Sequence, residues 1–342
     1  HADVTSVCLF CVRIYTTMKI YNVGIIGAGH IALKMASTLA ALPRTHRYAI
    51  ASREMRKART FAKEQGFERA YGSYEELMDD PKVDLIYIAT PHAFHFEQAK
   101  ASILKGKPVL CEKAFTANAA QAEELLKLAE EKQVFIAEAI WTRYLPMSRT
   151  IAELVRKGAV GTPYLLSANL GYAITNRERL VRPELAGGAL LDVGVYTLNF
   201  AAMVFGTEIL STTSTCVKMD NGLDAQDSIT LVYPGERMAV LNSSMLARSD
   251  RQGIISGDGG HMIIDNINNP QSIKVLDGNY QTVAEYHAPS QVTGFEYEVN
   301  ACIEALDKGL LQTLDMPHDE TLRIMRQMDA LRKEWGVCFP FE

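Results

Sequence analysis

The sequence predicts an α/β protein in two parts: a doubly wound parallel sheet, then a mainly antiparallel sheet accompanied by helices. Three observations carry this. Short apolar runs alternate with helical spacing from Met18 to Leu145, two glycines turn the chain at the end of the first run, and after Thr207 the alternation gives way to hairpin signals.

Residues 20–26 form the first strand-like run, and apolar residues return at three- and four-residue spacing over 31–42, as on one face of a helix. Strands are expected next at 48–51, 83–89, 108–111 and 134–139, with helices at 55–65, 95–104 and 118–132 between them. Strands separated by helices imply right-handed crossovers and parallel pairing. In such sheets ligands bind beyond the carboxyl ends of the strands, where the strand order switches. Those ends read Gly27-Ala28-Gly29, Ser52-Arg53, Thr90-Pro91-His92, Glu112-Lys113 and Glu138.

In the second half, Asn221-Gly222, Pro234-Gly235, Asp258-Gly259 and Asp277-Gly278 punctuate strand-like segments between about 207 and 288. Helices are expected at 151–157, 190–205, 294–308 and 319–334. The boundary between the parts falls at 140/141, giving units of 18–140 and 141–342.

Composition excludes several classes of function. With 48% hydrophobic and 22% charged residues the chain has the make-up of a globular protein, and its 35 basic residues are interleaved with 40 acidic ones for a net charge of −5. That distribution does not suit a nucleic-acid partner. The apolar runs, such as 83–89, are strand-sized, so no membrane association is expected. The six cysteines are scattered; Cys8 and Cys11 have C-x-x-C spacing but no second pair, and His92-x-x-His95 lacks a further ligand at suitable spacing, so no metal is expected. Residues 1–17 precede Met18-Lys19-Ile20-Tyr21 and lack the basic and small-residue features of a secretory signal, and they are expected to be an extraneous leader. The expected compartment is the reducing cytoplasm.

The segment Gly27-Ala28-Gly29-His30-Ile31-Ala32 stands between a strand and a helix, and that placement gives a G-x-G-x-x-A pattern its meaning. Gly27 permits the tight turn, Gly29 lets a pyrophosphate approach the backbone, and Ala32 lets helix pack on strand, with the helix N-terminus facing the anion. The turn is read as the cradle of a dinucleotide. At the second strand end an acidic residue would bind the ribose 2′-hydroxyl of NAD, whereas Ser52 and Arg53, with Arg56 or Lys57 a turn later, offer donors to the 2′-phosphate of NADP. NADP is therefore the expected cofactor, with NAD kept open because Glu54 follows directly.

Two further places suggest chemistry. Lys113 ends an apolar run where the nicotinamide is expected, and a lysine there is costly unless it has a partner or a task. Asp192 and Tyr196 lie four apart, so on a helix they share one face.

Taken together, the glycine segment, Cys111-Glu112-Lys113 and Gly187-Gly188-Ala189-Leu190-Leu191-Asp192-Val193-Gly194-Val195-Tyr196 resemble the Gfo/Idh/MocA oxidoreductases from Met18 nearly to the C-terminus. Glu138-Ala139-Ile140-Trp141-Thr142-Arg143 and Tyr196 are similar to the branch of dimeric dihydrodiol dehydrogenases and NADP-dependent D-xylose dehydrogenases. Two departures stand out: Ala114 where many members have proline, and Tyr196 where many have histidine. The resemblance implies a Rossmann dinucleotide-binding domain, a C-terminal α/β domain with a large open sheet, homodimers or homotetramers built through that sheet, and hydride transfer between nicotinamide and a hydroxyl or carbonyl of a sugar, polyol or cyclic dihydrodiol as small-molecule substrate. In that reading Tyr196 is the acid/base, Lys113 stabilises its phenolate or binds the reacting oxygen, and Asp192 orients the pair; the roles of Lys113 and Tyr196 are exchangeable. A phenol with a pKa of about 10 needs such a cation to act as a base near neutral pH. Trp141 is a candidate substrate wall and Arg143 a candidate polar contact, against packing and a surface ion pair as alternatives. His92 and His95 are candidates for touching the cofactor. A dinucleotide-binding regulator without catalysis and an NAD-assisted glycosidase are the competing functions.

Overall fold

The computed structural model describes residues 18–342; the 1–17 segment, with Cys8 and Cys11, lies outside the described residues. The first half alternates as β1 (Tyr21–Ile26), α1 (His30–Ala41), β2 (Thr45–Ala51), α2 (Met55–Gln65), β3 (Arg69–Tyr71), α3 (Tyr74–Asp79), β4 (Leu85–Ile88), α4 (His95–Leu104), β5 (Val109–Glu112), α5 (Ala119–Lys132) and β6 (Ile136–Ala139). The strands pair in parallel in the order β3-β2-β1-β4-β5-β6, so the order switches between β1 and β4. The inner strands β4 and β5 are buried on both faces, which is why they read as apolar runs. On α1, Ala32, Met35, Ala36 and Leu39 make the buried stripe. β3 and α3 are too short to leave a period in the sequence.

The second half comprises α6 (Pro146–Arg156), β7 (Pro163–Gly171), a widened π-type turn at Leu190–Gly194 running into α7 (Val195–Phe205), and then β8 (Ser211–Lys218), β9 (Asp224–Tyr233), β10 (Arg237–Ser244), β11 (Gly253–Gly257), β12 (Gly260–Ile264), β13 (Ser272–Asp277) and β14 (Thr282–His287). These strands form one eight-stranded sheet in the order β14-β13-β12-β11-β7-β10-β9-β8, antiparallel except where β7 pairs with β10. The four turn dipeptides sit between consecutive strands, as hairpin chemistry requires. β7 escapes the sequence reading because it starts on a proline and its partners arrive only much later in the chain. One face of the sheet buries Leu166, Leu170, Ile229, Leu241 and Ile255, with α7 packed on β7 and β10. The other face exposes Leu165, Val217 and Met238.

Pro183–Phe205 is longer and more apolar than the sequence reading allowed, and is the one helical stretch among the described residues long and apolar enough to cross a membrane. Of its most apolar 18-residue window 83% is buried, so that apolar surface is already taken up by the core.

The chain then returns to the first sheet through α8 (Glu296–Asp307) and α9 (His318–Trp335). Tyr21 donates to Asp307 at 3.0 Å, Ile136 N–H to the Leu311 carbonyl at 3.0 Å, and α9 packs on α5. This return brings Phe295, at the head of α8, beside Trp141, with ring centroids 5.2 Å apart.

Candidate active site

A cleft of about 700 Å³ opens between the carboxyl ends of β1, β4 and β5 and the π-type turn. Among the sequence-predicted residues, Gly29, His30, Ile31, Thr90, Pro91, His92, Glu112, Lys113, Trp141, Asp192 and Tyr196 line it. A second hollow of about 400 Å³ lies on β7–β10, but its lining carries Asp227 and no cation, so it lacks the means to hold a phosphate-bearing cofactor.

The glycine turn has the geometry a dinucleotide requires. Gly27 has φ +99°, and a Cβ there would meet the Ala89 carbonyl at 2.8 Å. A Cβ on Gly29 would meet nothing within 4 Å, so the space beside it is open to a ligand. No side chain caps the α1 N-terminus and no acidic residue lies in its first turn, which leaves N–H donors for an anion. Ala32 is fully buried beneath the turn. Ser52 is buried at the end of β2, while Arg53 and Lys57 are exposed beyond it; the Arg53 guanidinium lies 5.9 Å from the Phe94 ring centroid. These three lie outside the lining of the cleft but stand at the strand end where a ribose would be read.

Lys113 joins the two walls. Its Nζ donates to the Asp192 carbonyl at 2.8 Å and to Asp192 Oδ1 at 2.9 Å, and both terminal nitrogens of Arg179 donate to the same Oδ1 at 2.9 Å. Burial alone would raise the Asp192 carboxyl, but Lys113 and Arg179 outweigh it and hold the group well below the usual carboxylate range. The Lys113–Ala114 peptide, where the chain departs from the proline of many resembled proteins, is cis.

Tyr196 lies on α7 one turn after Asp192, buried, with Lys113 Nζ 5.0 Å from its ring centroid. Trp141 Nε1 donates to its hydroxyl oxygen at 3.2 Å. An indole is a donor only, so the phenol proton points elsewhere. The expectation that Lys113 lowers this phenol needs correcting: burial, then the charges of Glu112 and Asp192, push it well above 10, because Lys113 spends its charge on Asp192. Tyr196 therefore keeps its proton near neutral pH.

Glu112 is buried beside the lysine, accepting from the Tyr87 hydroxyl and, at 3.2 Å, from Lys113 N–H; burial raises its carboxyl. His92 donates from Nδ1 to the Ala186 carbonyl at 2.9 Å, and burial with the nearby Arg179 charge lowers it to about 3. It is therefore neutral, with Nε2 an acceptor.

Two further predicted contacts are not in the cleft. His95 is fully buried, with Nδ1 2.9 Å from the Ala114 carbonyl and Nε2 2.8 Å from the Thr90 carbonyl, so it fixes the two strand-end loops and does not face a ligand. Arg143 turns away toward α9, where it pairs with Glu320 and donates to the Asp315 carbonyl at 3.3 Å. Glu138 is likewise buried, accepting from Thr321 at 3.0 Å. In their place the cleft contains Lys34, Tyr172, Arg177, Arg179 and Phe295, which the sequence reading did not single out. Only Lys34, one helical turn after His30, stood within reach of a motif.

Comparison with known proteins agrees with this geometry. Residues 21–139 match the oxidoreductase family with NAD-binding Rossmann fold, and residues 148–263 match the GFO/IDH/MocA C-terminal domain. The chain is 35% identical over 326 residues to a trans-1,2-dihydrobenzene-1,2-diol dehydrogenase from Xenopus tropicalis, covering 93% of this chain and 98% of that one. The human protein of the same name is 31% identical, covering 93% and 97%. Among solved structures, an aldose-aldose oxidoreductase from Caulobacter crescentus complexed with glycerol superposes with TM-score 0.84 at 21% identity, covering 93% of this chain and 98% of that one. A 3-ketoreductase from Actinomadura kijaniata in complex with NADP superposes with TM-score 0.81 at 23% identity, covering 92% and 97%. The strand order, the glycine turn and both matched segments place the chain in the Gfo/Idh/MocA family, as an NAD(P)-binding oxidoreductase.

Proposed function

We propose that the protein uses NADP to interconvert a secondary or anomeric alcohol and its carbonyl on a sugar, polyol or cyclic dihydrodiol, with Tyr196 as acid/base. The observation that carries this reading is the Tyr196 hydroxyl, fixed through its oxygen by Trp141, with Lys113 over the same ring. In the reductive direction the phenol gives its proton to the substrate oxygen and is reprotonated from solvent; in the oxidative direction the phenol first releases its proton to solvent and the phenolate then takes the proton of the substrate hydroxyl. Lys113, tied to Asp192, supplies fixed positive charge next to that oxygen. Asp192 and Arg179 set the lysine's position, and Trp141 walls the substrate. The bound nicotinamide supplies or accepts the hydride. His92, Thr90 and Glu112 border the place where the cofactor enters.

The preference for NADP rests on Arg53 and Lys57, exposed at the end of β2 with no ion-pair partner among the described residues. Relatives bear names of dihydrodiol dehydrogenases, and a structural neighbour was solved with NADP. The uncovered face of the second sheet, with Leu165 and Met238 paired across β7 and β10, is the surface through which we propose that two or four copies associate.

A panel of sugars, inositols and trans-dihydrodiols assayed for NADPH formation tests the reading. Steady NADPH production with at least one member is expected. Glycoside cleavage with cofactor recycled on the protein, or cofactor binding with no turnover on any member, would overturn it.

A further inference from the structure

We propose that Lys34 determines specificity by binding an anionic group, a carboxylate or a phosphate, carried by the substrate. This rests on the reading of the cleft as a substrate site and adds the charge of its occupant.

Lys34 is half-buried on α1, and its Nζ sits 4.2 Å from the Trp141 ring centroid and 4.0 Å from that of Phe295. The two rings meet at 62°, so the ammonium lies in the angle between two aromatic faces. No carboxylate stands within ion-pair distance among the described residues. The nearby acids are engaged elsewhere: Glu296 accepts from the backbone N–H groups of Val292, Thr293 and Gly294 at 2.6, 3.0 and 2.7 Å. Glu112 is held by Tyr87, and Asp192 by Lys113 and Arg179. Glu298 is fully buried with both carboxyl oxygens unpartnered and forms no ion pair with Lys34, and burial raises its carboxyl well above the usual range. Burial pulls the Lys34 ammonium down from its ordinary value, and the charges of Glu298, Glu112 and Glu296 act against that pull without touching it. Lys34 is thus a half-buried amine with two aromatic contacts and no carboxylate in ion-pair contact among the described residues, lining the cleft.

Its place relative to the chemistry follows from Trp141. The indole that Lys34 covers is the one that holds the Tyr196 hydroxyl, so an anion on Lys34 lies one indole away from the reacting oxygen. A substrate that spans the two carries its acidic group a few bonds from the carbon that exchanges hydride. A monocarboxylate or phosphate meets the unpaired charge, and a neutral diol does not.

The test uses the full chain loaded with NADP, with D-glucose as the neutral probe and D-glucuronate and D-glucose 6-phosphate as the acidic ones. Binding is measured by calorimetry and turnover by NADPH absorbance. At least one acid is expected to bind about tenfold or more tighter than glucose, the size of one charge-assisted contact. Lys34→Met should bring that ratio toward one and Lys34→Arg should keep most of it, with NADPH affinity held in both. The two acids distinguish carboxylate from phosphate as the anion. Equal binding of acids and glucose, or no binding by any probe, overturns the proposal. So does an acid preference that survives Lys34→Met and disappears in Arg177→Met, a tenfold loss of NADPH affinity in Lys34→Met, or loss of the preference in Glu298→Gln. Acid preference without turnover would leave the charge assignment standing and sink the proposed reaction, whereas turnover of neutral sugars without acid preference would do the reverse.

Discussion

The two walls of the cleft are built by different means. The wall at the ends of β1 and β4 is largely backbone: a glycine at positive φ, open space beside Gly29 and an uncapped helix start. The facing wall is side chain: Trp141 on Tyr196, Asp192 between Lys113 and Arg179, and Lys34 over two rings. Backbone donors recognise a feature that every dinucleotide shares, whereas interlocked side chains recognise one substrate and one developing charge. Single substitutions on the first wall should therefore trim cofactor affinity, and those at Tyr196 and its Lys113–Asp192 neighbours on the second should lower turnover.

The largest expected effect is at Tyr196. Tyr196→Phe removes the hydroxyl and keeps the ring, and loss of a positioned acid/base lowers kcat on the order of 10² to 10⁴. NADPH affinity, measured by fluorescence titration, should change by less than about twofold. Turnover at the level of the unaltered protein would remove the tyrosine from the mechanism and leave Lys113 in its place.

Asp192→Asn comes next. It leaves Lys113 and Arg179 without their shared carboxylate, and removing one partner of a buried pair costs on the order of 3–5 kcal/mol, less the share that solvent screens at the partly exposed Arg179. The carboxyl is depressed in the folded state, so its stabilisation is complete above an unfolded pKa of about 4 and is lost as pH falls below it. The melting-temperature gap between the protein and the variant should be widest at neutral pH and narrow below about pH 4. A gap that widens in acid would reverse the assignment.

On the first wall, Arg53→Ala should weaken NADPH by about tenfold and leave NADH unchanged. Equal losses for the two cofactors would mean that Arg53 does not read the 2′-phosphate.

The smallest effect lies beneath the second wall. Asp227 accepts from Ser243 under Gly194, where a Cβ would come within 3.1 Å of the Ser243 hydroxyl, and burial pushes the Asp227 carboxyl up to about 7. Between about pH 4 and 7 the folded protein holds a proton that the unfolded chain has released, so this group makes stability fall as pH rises. Asp227→Asn should flatten that slope, seen as a melting temperature higher by a few degrees at pH 8 and little changed at pH 4. A slope identical to that of the unaltered protein would show that Asp227 ionises freely in the fold.

The sequence was most legible where structure is local. The helices at Met55–Gln65 and His95–Leu104 match their expected bounds, and β1, β4 and β5 end where polar residues begin, because a buried parallel strand and its turn are written in consecutive residues. Lys113, Asp192 and Tyr196 come together because each sits in a motif. Arg179 and Phe295 were not legible: one lies in a loop without periodicity, the other reaches the cleft only after the chain has crossed the whole second sheet. Arg143 misled for the opposite reason. It neighbours Trp141 in sequence, but the short helical turn at Trp141–Tyr144 aims the two side chains apart.

The position of β7 bears on how the molecule assembles. It is the only strand that touches both β10 and β11, and every strand on either side of it follows it in the chain. β8–β10 and β11–β14 can each form by closing short loops, but joining them requires β7 to wait for partners that lie far downstream, and such long-range pairing is slow because its loop entropy is lost before contacts compensate. The sheet should therefore gain its two flanks early and its centre late. Until β7 is seated, α7 lacks one of the two strands it lies on, so Asp192 and Tyr196 should settle fully in their places only late in folding.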